Sequence, residues 1–360
     1  MEQKKIGIGI IGCGKIAQIR HIPEYAQNPN AELIGYYDFI YERAEEMAKT
    51  YGGRAFSTVE ELLNSTEIDA VSVCTANNAH ASMTVAALEA GKHVLCEKPM
   101  ATTLAECESM VEASLKHGKK LMIAQNQRMM IEHIRAKELL ERGTIGTPIS
   151  FKTCFGHSGP DHWSVDRGTG NWFFDRSRSG FGALADLGIH KIALIQYLLN
   201  NNIAKVQAMT ATLDKHYPDG SPVDVEDNVI CLCLMENGMI GTITASWTYY
   251  GEEDNDTSIY GTKGILKIGC KSHSIEVLFE NGDRMLYEFP PQDISGIIDS
   301  FVDCLVRDTE PSIDGKQVLH AMRTFFAAVE SAQDAKQMVM DQKHKSRMLN
   351  KQPDSNSIGR

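Results

Sequence analysis

The sequence predicts an α/β protein with an N-terminal doubly wound parallel sheet and a C-terminal α+β domain containing a large open, mainly antiparallel sheet. Three observations lead to this fold class. Apolar, strand-like blocks alternate with helical stretches over the first 127 residues. Beyond them the pattern changes to longer β segments joined by hairpin signals. At 360 residues, the chain is also longer than one hydrophobic core usually organises.

The first region contains short apolar blocks with strand character, at residues 5–12, 31–38, 70–75, 93–98 and 121–127. Helical stretches separate these blocks, at residues 15–28, 41–52, 57–65, 80–91 and 102–118. Continuous apolar strands joined by helices are typical of a parallel sheet that is covered on both faces. We therefore predict one domain over residues 1–127.

The second region contains two Asn-Gly pairs between apolar segments, at 237–238 and 281–282. Asn-Gly is a strong hairpin signal, because both residues of a tight two-residue turn take positive φ. Helical patterns occur at residues 129–143, 182–200, 294–310 and 315–337. We predict a second domain over residues 128–340 and a polar tail over residues 341–360.

Composition limits the classes of partner. A net charge of −11, from 36 basic and 47 acidic residues, argues against nucleic acids and anionic membranes. The apolar runs are shorter than the ~18 residues that span a bilayer, and the N-terminus MEQKKIGIGI lacks the layout of a signal peptide. The nine cysteines include no CxxC pair, which indicates neither disulfides nor a zinc site. We expect a cytoplasmic protein.

A nucleotide-binding motif occupies residues 12–17, which read Gly-Cys-Gly-Lys-Ile-Ala at the first strand-to-helix junction. In this GxGxxA pattern Gly12 permits the tight turn, and Gly14 lets the backbone approach a pyrophosphate at the helix N-terminus. Lys15 and Ile16 lie in the same loop and belong to the predicted cofactor site. The first domain is therefore predicted to be of the Rossmann type.

Asp38 indicates which dinucleotide binds. It ends the second strand, where a carboxylate accepts both hydroxyls of the adenosine ribose. The same carboxylate would repel a 2′-phosphate, and the next residues, Phe39 and Ile40, offer no positive charge. Arg43 lies further on and could pair with Asp38 or Glu42 instead. The sequence favours NAD over NADP.

A charged pair follows the apolar strand Val94–Cys96 in the stretch VLCEKPM. In a doubly wound sheet, ligands lie outside the carboxyl ends of the strands. Glu97 and Lys98 occupy such an end, and residues 74–80 occupy another. Lys98 is therefore predicted to lie where substrate and nicotinamide meet, with Pro99 restricting the backbone.

Asp186 and His190 are four residues apart on a predicted helix, so that they would share one face. With Lys98 they could form a proton-relay set for a nicotinamide enzyme that oxidises an alcohol. The structural alternative is a core histidine and a helix N-terminal acid. A metal pair is another alternative, but no third ligand stands out, and we predict no metal.

Three motifs carry a resemblance to a known family. GCGKIA at 12–17, EKP at 97–99 and Asp186-x-x-x-His190 resemble the glucose–fructose oxidoreductase / inositol dehydrogenase / MocA family over essentially the whole chain. The resemblance implies NAD(P)-dependent oxidation of a ring hydroxyl on a sugar or cyclitol. It implies that His190 is the general acid/base, that Lys98 hydrogen-bonds the reacting oxygen, and that Asp186 orients the substrate or the imidazole.

The resemblance extends to a loop that usually reads TPNxxH in this family. Here residues 75–80 read Thr-Ala-Asn-Asn-Ala-His, with alanine in place of proline. Thr75, Asn77 and His80 are retained and are implied to contact the cofactor. The departure at Ala76 puts only the shape of the loop in doubt.

Further positions follow from the same resemblance. A cis peptide is implied at Lys98–Pro99, and Glu97 would lie near the nicotinamide ribose. Asn126 and Arg128 match family positions near the nicotinamide and the substrate, respectively. A surface salt bridge is the alternative for Arg128.

Residues 155–180 are predicted to form a substrate loop, because they are dense in His, Trp, Asp, Arg and Gly. This mixture suits stacking on a sugar ring and hydrogen bonding to it. His157 and Trp172 are the substrate-binding candidates, although Trp172 could belong to the core. Family branches oxidise the C3 hydroxyl of glucosides or act on free inositols, and both remain open.

Three functions compete. The first is a sugar, glycoside or cyclitol dehydrogenase. The second is a glycoside-cleaving enzyme of the same family that uses NAD transiently. The third is a non-catalytic dinucleotide sensor, which the joint presence of Lys98, Asp186 and His190 disfavours.

The resemblance and the open sheet also predict a homo-oligomer, either a dimer, a tetramer or a larger assembly.

Overall fold

A computed structural model describes residues 4–334, in which the strands form two β-sheets. One sheet is parallel and belongs to the first part of the chain, and the other is mainly antiparallel and belongs to the second part. The predicted fold class is confirmed. The predicted tail, residues 341–360, lies outside the described residues.

The first sheet is parallel throughout. Its strands are β1 (Ile6–Ile11), β2 (Ala31–Tyr37), β3 (Arg54–Ala55), β4 (Ala70–Val73), β5 (His93–Cys96) and β6 (Leu121–Ile123). They are ordered β3-β2-β1-β4-β5-β6, so the strand order reverses between β1 and β4. Ligands of such sheets bind outside the carboxyl ends at this reversal.

Helices cover both faces of this sheet. They are α1 (Ile22–Gln27), α2 (Tyr41–Tyr51), α3 (Val59–Leu63), α4 (His80–Glu89) and α5 (Leu104–His117). Helix α5 illustrates how the sequence sets the helix ends. Thr103 and Glu106 form a reciprocal capping box at its start, and Gly118 ends it with a positive φ of 60°.

The second sheet is antiparallel except where β7 and β10 pair in parallel. Its strands are β7 (Pro148–Gly156), β8 (Ile203–Ala211), β9 (Asn228–Met235), β10 (Ile240–Ser246), β11 (Thr257–Gly261), β12 (Gly264–Gly269), β13 (Ser274–Phe279) and β14 (Arg284–Glu288). Their order is β14-β13-β12-β11-β7-β10-β9-β8.

Helices pack against one face of the second sheet. The helices of this region are α6 (Ile131–Glu141), α7 (Arg176–Ser179), α8 (Ile189–Leu199), α9 (Ile297–Val306) and α10 (Gly315–Asp334). Helix α6 contacts β12, α8 contacts β7, and α10 contacts β8. Helix α9 also contacts α1 and β1, and α10 contacts α5 and β6, so the end of the described chain packs against the first region. The domain boundary at residues 127/128 stays a prediction.

The two Asn-Gly hairpins form with a different turn from the one expected. Gly238 and Gly282 have φ values of 87° and 90°, whereas neither asparagine has a positive φ. The asparagine side chains instead accept hydrogen bonds from the backbone N–H two residues later, Asn237 from Met239 and Asn281 from Asp283. These are longer turns in which only glycine needs the positive φ.

One described stretch, Arg176–Leu199, is long and apolar enough to cross a membrane by length and composition alone. However, 83% of its most apolar window is buried inside the protein. That burial assigns the stretch to the protein core, where its last part, α8, packs against α6 and α10.

Candidate active site

The glycine-rich turn follows β1 and passes close to the end of β4. A Cβ atom at Gly12, whose φ is 94°, would lie 2.7 Å from the backbone of Cys74 and 2.8 Å from the nitrogen of Thr75. A Cβ atom at Gly14 would meet no atom within 4 Å. Gly12 therefore makes the tight turn, and Gly14 leaves open space beside the backbone, as the motif predicts.

Asp38 follows β2, and the backbone positions its carboxylate. The Cys13 N–H donates to Oδ2 at 2.7 Å, and the Ile40 N–H donates to Oδ1 at 2.8 Å. The pairing of Arg43 with Asp38 or Glu42, which the sequence left open, does not form among the described side chains. Arg43 instead donates from Nη2 to Oδ1 of Asp166 at 2.7 Å, because the substrate loop of the second region reaches this point.

A cleft of about 650 Å³ lies between the two regions. Its walls include most of the predicted site residues: Gly12, Gly14, Lys15, Ile16, Asp38, Thr75, Asn77, His80, Glu97, Lys98, Trp172 and Asp186. Four predicted residues are not among the wall residues of this cleft in the described chain: Asn126, Arg128, His157 and His190.

The loop after β4 is bonded to its surroundings. His80 faces the carbonyl oxygens of Pro99 and Thr75, at 2.7 Å from Nδ1 and 3.1 Å from Nε2. Burial lowers the pKa of His80, so the neutral ring donates to one of the two carbonyls. Asn77 donates to the Ser179 carbonyl at 2.9 Å, and the buried Thr75 hydroxyl has no partner among residues 4–334. Thr75 therefore offers an unused polar group inside the cleft.

Glu97 forms a buried hydrogen bond with His21 that the sequence did not indicate. His21 Nε2 lies 2.9 Å from its Oε1, and His21 Nδ1 lies 3.1 Å from the Ser72 hydroxyl, which also bonds to Tyr25 at 2.9 Å. Burial alone would raise the pKa of Glu97, but His21, Lys98 and Arg20 outweigh it and lower the pKa to about 2. Glu97 is thus a fixed anion in the cleft wall.

Lys98 and Asp186 meet across the cleft. The Lys98–Pro99 peptide is cis, as the resemblance implies. Lys98 Nζ lies 2.8 Å from Asp186 Oδ1 and 2.8 Å from the Asp186 carbonyl oxygen, and Trp247 Nε1 donates to Oδ2 at 3.0 Å. Burial alone would raise the pKa of Asp186, but Lys98 and His157 outweigh it, so the pKa is lowered. Asp186 is therefore an ionised carboxylate that orients the lysine.

Trp247 is a positioning residue that no sequence pattern singled out. Changing Trp247 to Phe keeps the ring packed against Phe174 but removes the indole donor to Asp186. We expect a loss of at least about 1.5–3 kcal/mol in the free energy of unfolding, the usual worth of a hydrogen bond to a charged group, because the smaller ring at this fully buried position adds a packing cost. Urea denaturation measures this loss, and an unchanged midpoint would contradict the role.

A π-helical turn contains Asp186 and leads into the helix that carries His190. It spans Leu184–Gly188, directly before α8, and its wider spacing departs from the regular helix on which the shared face was predicted. The histidine facing the Asp186 carboxylate is His157, with Nε2 at 3.9 Å from Oδ2. Because the Gly159 N–H donates to His157 Nδ1 at 2.9 Å, the proton of the neutral ring lies on Nε2, toward Asp186.

His190 is buried next to this group. Its Nδ1 has no partner among the described residues, and its ring centroid lies 5.9 Å from that of Phe155. Burial, and then the charges of Lys98, Arg20 and Lys191, lower the pKa of His190 well below the usual 6.5. His190 is therefore a neutral imidazole that can accept a proton.

Arg128 and Asn126 lie in a helical turn after β6, Asn126–Met129. Arg128 stacks on the Tyr197 ring at 4.6 Å and donates to Gln317 at 3.3 Å. These contacts direct Arg128 toward α8 and α10. The structure does not bring either residue to the cleft wall.

The predicted substrate loop forms one wall of the cleft. Trp172 stacks on Phe173 with ring centroids 3.9 Å apart, and Trp163 meets Phe173 edge-on at 5.2 Å. All three rings line the cleft. Aromatic planes of this kind suit the apolar faces of a sugar ring.

Comparisons with known proteins agree with this geometry. The model of the oxidoreductase family with an NAD-binding Rossmann fold matches residues 6–125, and that of the GFO/IDH/MocA C-terminal domain matches residues 133–267. The chain is 30% identical to levoglucosan dehydrogenase of Pseudarthrobacter phenanthrenivorans over 73% of each chain. It is 26% identical to myo-inositol 2-dehydrogenase of Thermotoga maritima, over 93% of this chain and 98% of that protein.

A solved structure has the same fold. Levoglucosan dehydrogenase in complex with NADH and L-sorbose superposes with a TM-score of 0.83 at 26% identity, covering 92% of this chain and 97% of the other. The superposition therefore includes most of both regions of the chain.

Proposed function

The chain belongs to the GFO/IDH/MocA oxidoreductase family, and from this premise we propose that it oxidises a secondary ring hydroxyl of a sugar, glycoside or cyclitol to the ketone, with NAD as hydride acceptor. It is an NAD(P)-dependent oxidoreductase acting on CH–OH groups. The observation that carries the proposal is the 2.8 Å contact between Lys98 and Asp186 inside a cleft that also contains the glycine-rich turn.

The residues present fit a dinucleotide. Gly14 leaves space for a pyrophosphate, Asp38 presents a fixed carboxylate, and the Thr75 hydroxyl is an unpaired polar group in the cleft. Asp38 would accept from both ribose hydroxyls, and its charge disfavours a 2′-phosphate, which supports NAD over NADP. Lys15, Ile16, Asn77, His80 and Glu97 would complete the cofactor site, with His80 acting chiefly by joining two loops.

The chain's own residues would handle the proton of the alcohol. Bound nicotinamide supplies the hydride acceptor. The neutral imidazole of His190 would take the hydroxyl proton, while Lys98, oriented by Asp186, would hydrogen-bond the reacting oxygen and stabilise its developing negative charge. His157 and Trp172 would bind the sugar beside this group.

The proposal is tested by incubating the pure protein with NAD, and separately with NADP, against glucose, glucosides and inositols. We expect reduced nicotinamide to form with at least one sugar, glycoside or cyclitol, together with a ketone product. The C3 hydroxyl of a glucoside is one candidate position. Binding of dinucleotide without turnover of any of these compounds would contradict the proposal. Glycoside cleavage without net NADH would assign the protein to the cleaving branch instead.

We also propose a homo-oligomer formed through the second sheet. The face of this sheet away from the helices exposes apolar side chains, with Met209 58%, Ile230 54% and Leu232 55% accessible. Met209 and Ile230 are cross-strand partners, and the residues that alternate with Ile230, Val229 and Cys231, are buried on the other face. An apolar sheet face of this kind needs a cover, which a second copy would supply.

Changing Leu232 to Glu should dissociate this oligomer, because it places a charge within the buried face. Light scattering at micromolar protein concentration measures the outcome. Leu115 on α5 has a similar exposure of 59%, so Leu115→Glu is the matched control and should leave the oligomer intact. A monomeric wild-type protein would rule out the proposal.

The nine cysteines of the chain are all buried thiols. Buried thiols of this kind are common in reducing compartments. We propose that the protein works in the cytoplasm.

A further inference from the structure

An ion pair crosses the cleft near Asp38, at the end where the adenosine ribose of the dinucleotide would bind. Arg43 belongs to the first turn of α2, five residues after Asp38, and Asp166 belongs to the substrate loop between β7 and α7. Their side chains meet at 2.7 Å, and both residues line the same cleft as Gly14. We propose that Asp166 is a specificity-determining residue that occupies Arg43 and thereby disfavours NADP. This inference rests on the proposed function.

The charges at this end of the cleft explain the effect. Both carboxylate oxygens of Asp38 already accept backbone N–H bonds, and the described side-chain partner of Arg43 is Asp166. Two carboxylates and one guanidinium leave a net negative charge beside the ribose position. Without Asp166 the local charge would be neutral, and Arg43 would be available to a 2′-phosphate, for which a guanidinium is the preferred partner.

The loop is built to present this carboxylate. The Ser164 hydroxyl donates to the Asp166 carbonyl at 2.5 Å, and Asn171 Nδ2 donates to Ser164 Oγ at 3.1 Å and to the Gly168 carbonyl at 2.8 Å. Ser164 and Asn171 are both buried. The backbone at Asp166 is therefore fixed before a ligand arrives, even though its side chain is 56% exposed.

Lys15 is the other cation near this end, and it acts differently. It lies in the glycine-rich turn, where the pyrophosphate would bind, and every dinucleotide carries a pyrophosphate. Its charge therefore favours NAD and NADP alike. Discrimination between them falls to Asp38, Arg43 and Asp166.

The test measures dissociation constants of NADH and NADPH by their fluorescence, which needs no sugar substrate. In Asp166→Asn we expect the ratio Kd(NADPH)/Kd(NADH) to fall about fivefold or more, an effect of the size that exposed ion pairs can have. The double variant Arg43→Gln with Asp166→Asn should show a clearly smaller fall relative to Arg43→Gln alone, because the loss of one negative charge remains but the freed guanidinium is missing.

Glu67→Gln is the matched control. Glu67 pairs with Arg54 at 3.0 Å, is exposed to an extent similar to Asp166 and lies outside the cleft wall. The substitution Glu67→Gln therefore changes the net charge of the protein by the same amount as Asp166→Asn. An unchanged ratio in Asp166→Asn, equal weakening of both dinucleotides, or the same shift in Glu67→Gln would overturn the inference. A wild-type protein that binds NADPH more tightly would also overturn it. If wild type bound neither dinucleotide, the proposed function itself would fail.

Discussion

Changing Lys98 to Met is expected to lower kcat by about 10²-fold or more, while NADH binding is retained. The variant keeps the length and apolar stem of the side chain but removes the ammonium group that lies 2.8 Å from Asp186. The reacting oxygen then loses its charged hydrogen-bond donor, and the buried carboxylate loses its counter-ion. Steady-state kinetics with an accepted sugar measures kcat, and fluorescence titration measures the binding of NADH.

Lys92→Met separates catalysis from stability in this experiment. Lys92 is another buried lysine, next to β5 at its opposite end, and its Nζ donates to the carbonyls of Ser65 and Ile68. Its loss should destabilise the fold without changing kcat per folded molecule. If Lys98→Met retained full turnover, Lys98 would be peripheral and the proposed site would be wrong.

Changing His190 to Gln is expected to lower kcat by about 10²–10⁴-fold, the range that general acid–base groups contribute. The amide fills much of the imidazole volume but cannot accept the hydroxyl proton. His133 is the matched control, because it is also a fully buried histidine and donates from Nδ1 to the Gln127 carbonyl at 2.6 Å. His133→Gln should affect stability and leave kcat per folded molecule unchanged. An equal loss of kcat in both variants would deny His190 a chemical role.

The pH profile gives a second readout for His190. The imidazole must be neutral to accept a proton, so oxidation is lost as pH falls through its pKa. Because burial and then Lys98, Arg20 and Lys191 lower that pKa, the acid limb of kcat/KM should lie well below pH 6.5. The limb should disappear in His190→Gln. An acid limb at or above 6.5 would show that His190 is not held neutral by its surroundings.

The nucleotide half of the site could be predicted from sequence, because its motif is a set of local backbone requirements. Gly12 needs a positive φ, Gly14 must leave open space, and Asp38 must end the second strand. Such requirements involve residues close in the chain or on adjacent strands. The wall of the cleft accordingly contains these three residues where the pattern placed them.

The helical stretch carrying Asp186 and His190 departs from the regular helix that its spacing predicted. A spacing of four residues predicts a shared face only if the helix is regular. The π-turn at Leu184–Gly188 changes the spacing, and the ring that faces Asp186 is His157 from β7. Nothing in the local sequence distinguishes a π-turn from a regular turn, because its stability comes from the packing around it.

Other site residues were missed because their signal is not local. His21 lies in an apolar helical stretch, and Trp247 ends a strand that reads as core. Each acquires its role by meeting a carboxylate distant in the chain, Glu97 for His21 and Asp186 for Trp247. A helical histidine and a core tryptophan are common in any fold, so the sequence offered no reason to select them.

The sequence by itself determined the α/β fold class with its parallel and antiparallel sheets, the family and the dinucleotide turn, and it predicted Lys98 as a residue of the cleft, whose wall contains it. These follow from strand and helix periodicity and from short motifs whose backbone geometry is local. Only the tertiary structure decided that Lys98 bonds Asp186, that His157 rather than His190 faces that carboxylate, and that Arg43 pairs with Asp166. The physical reason is that these contacts form between side chains far apart in sequence, at distances set by how the two regions pack together.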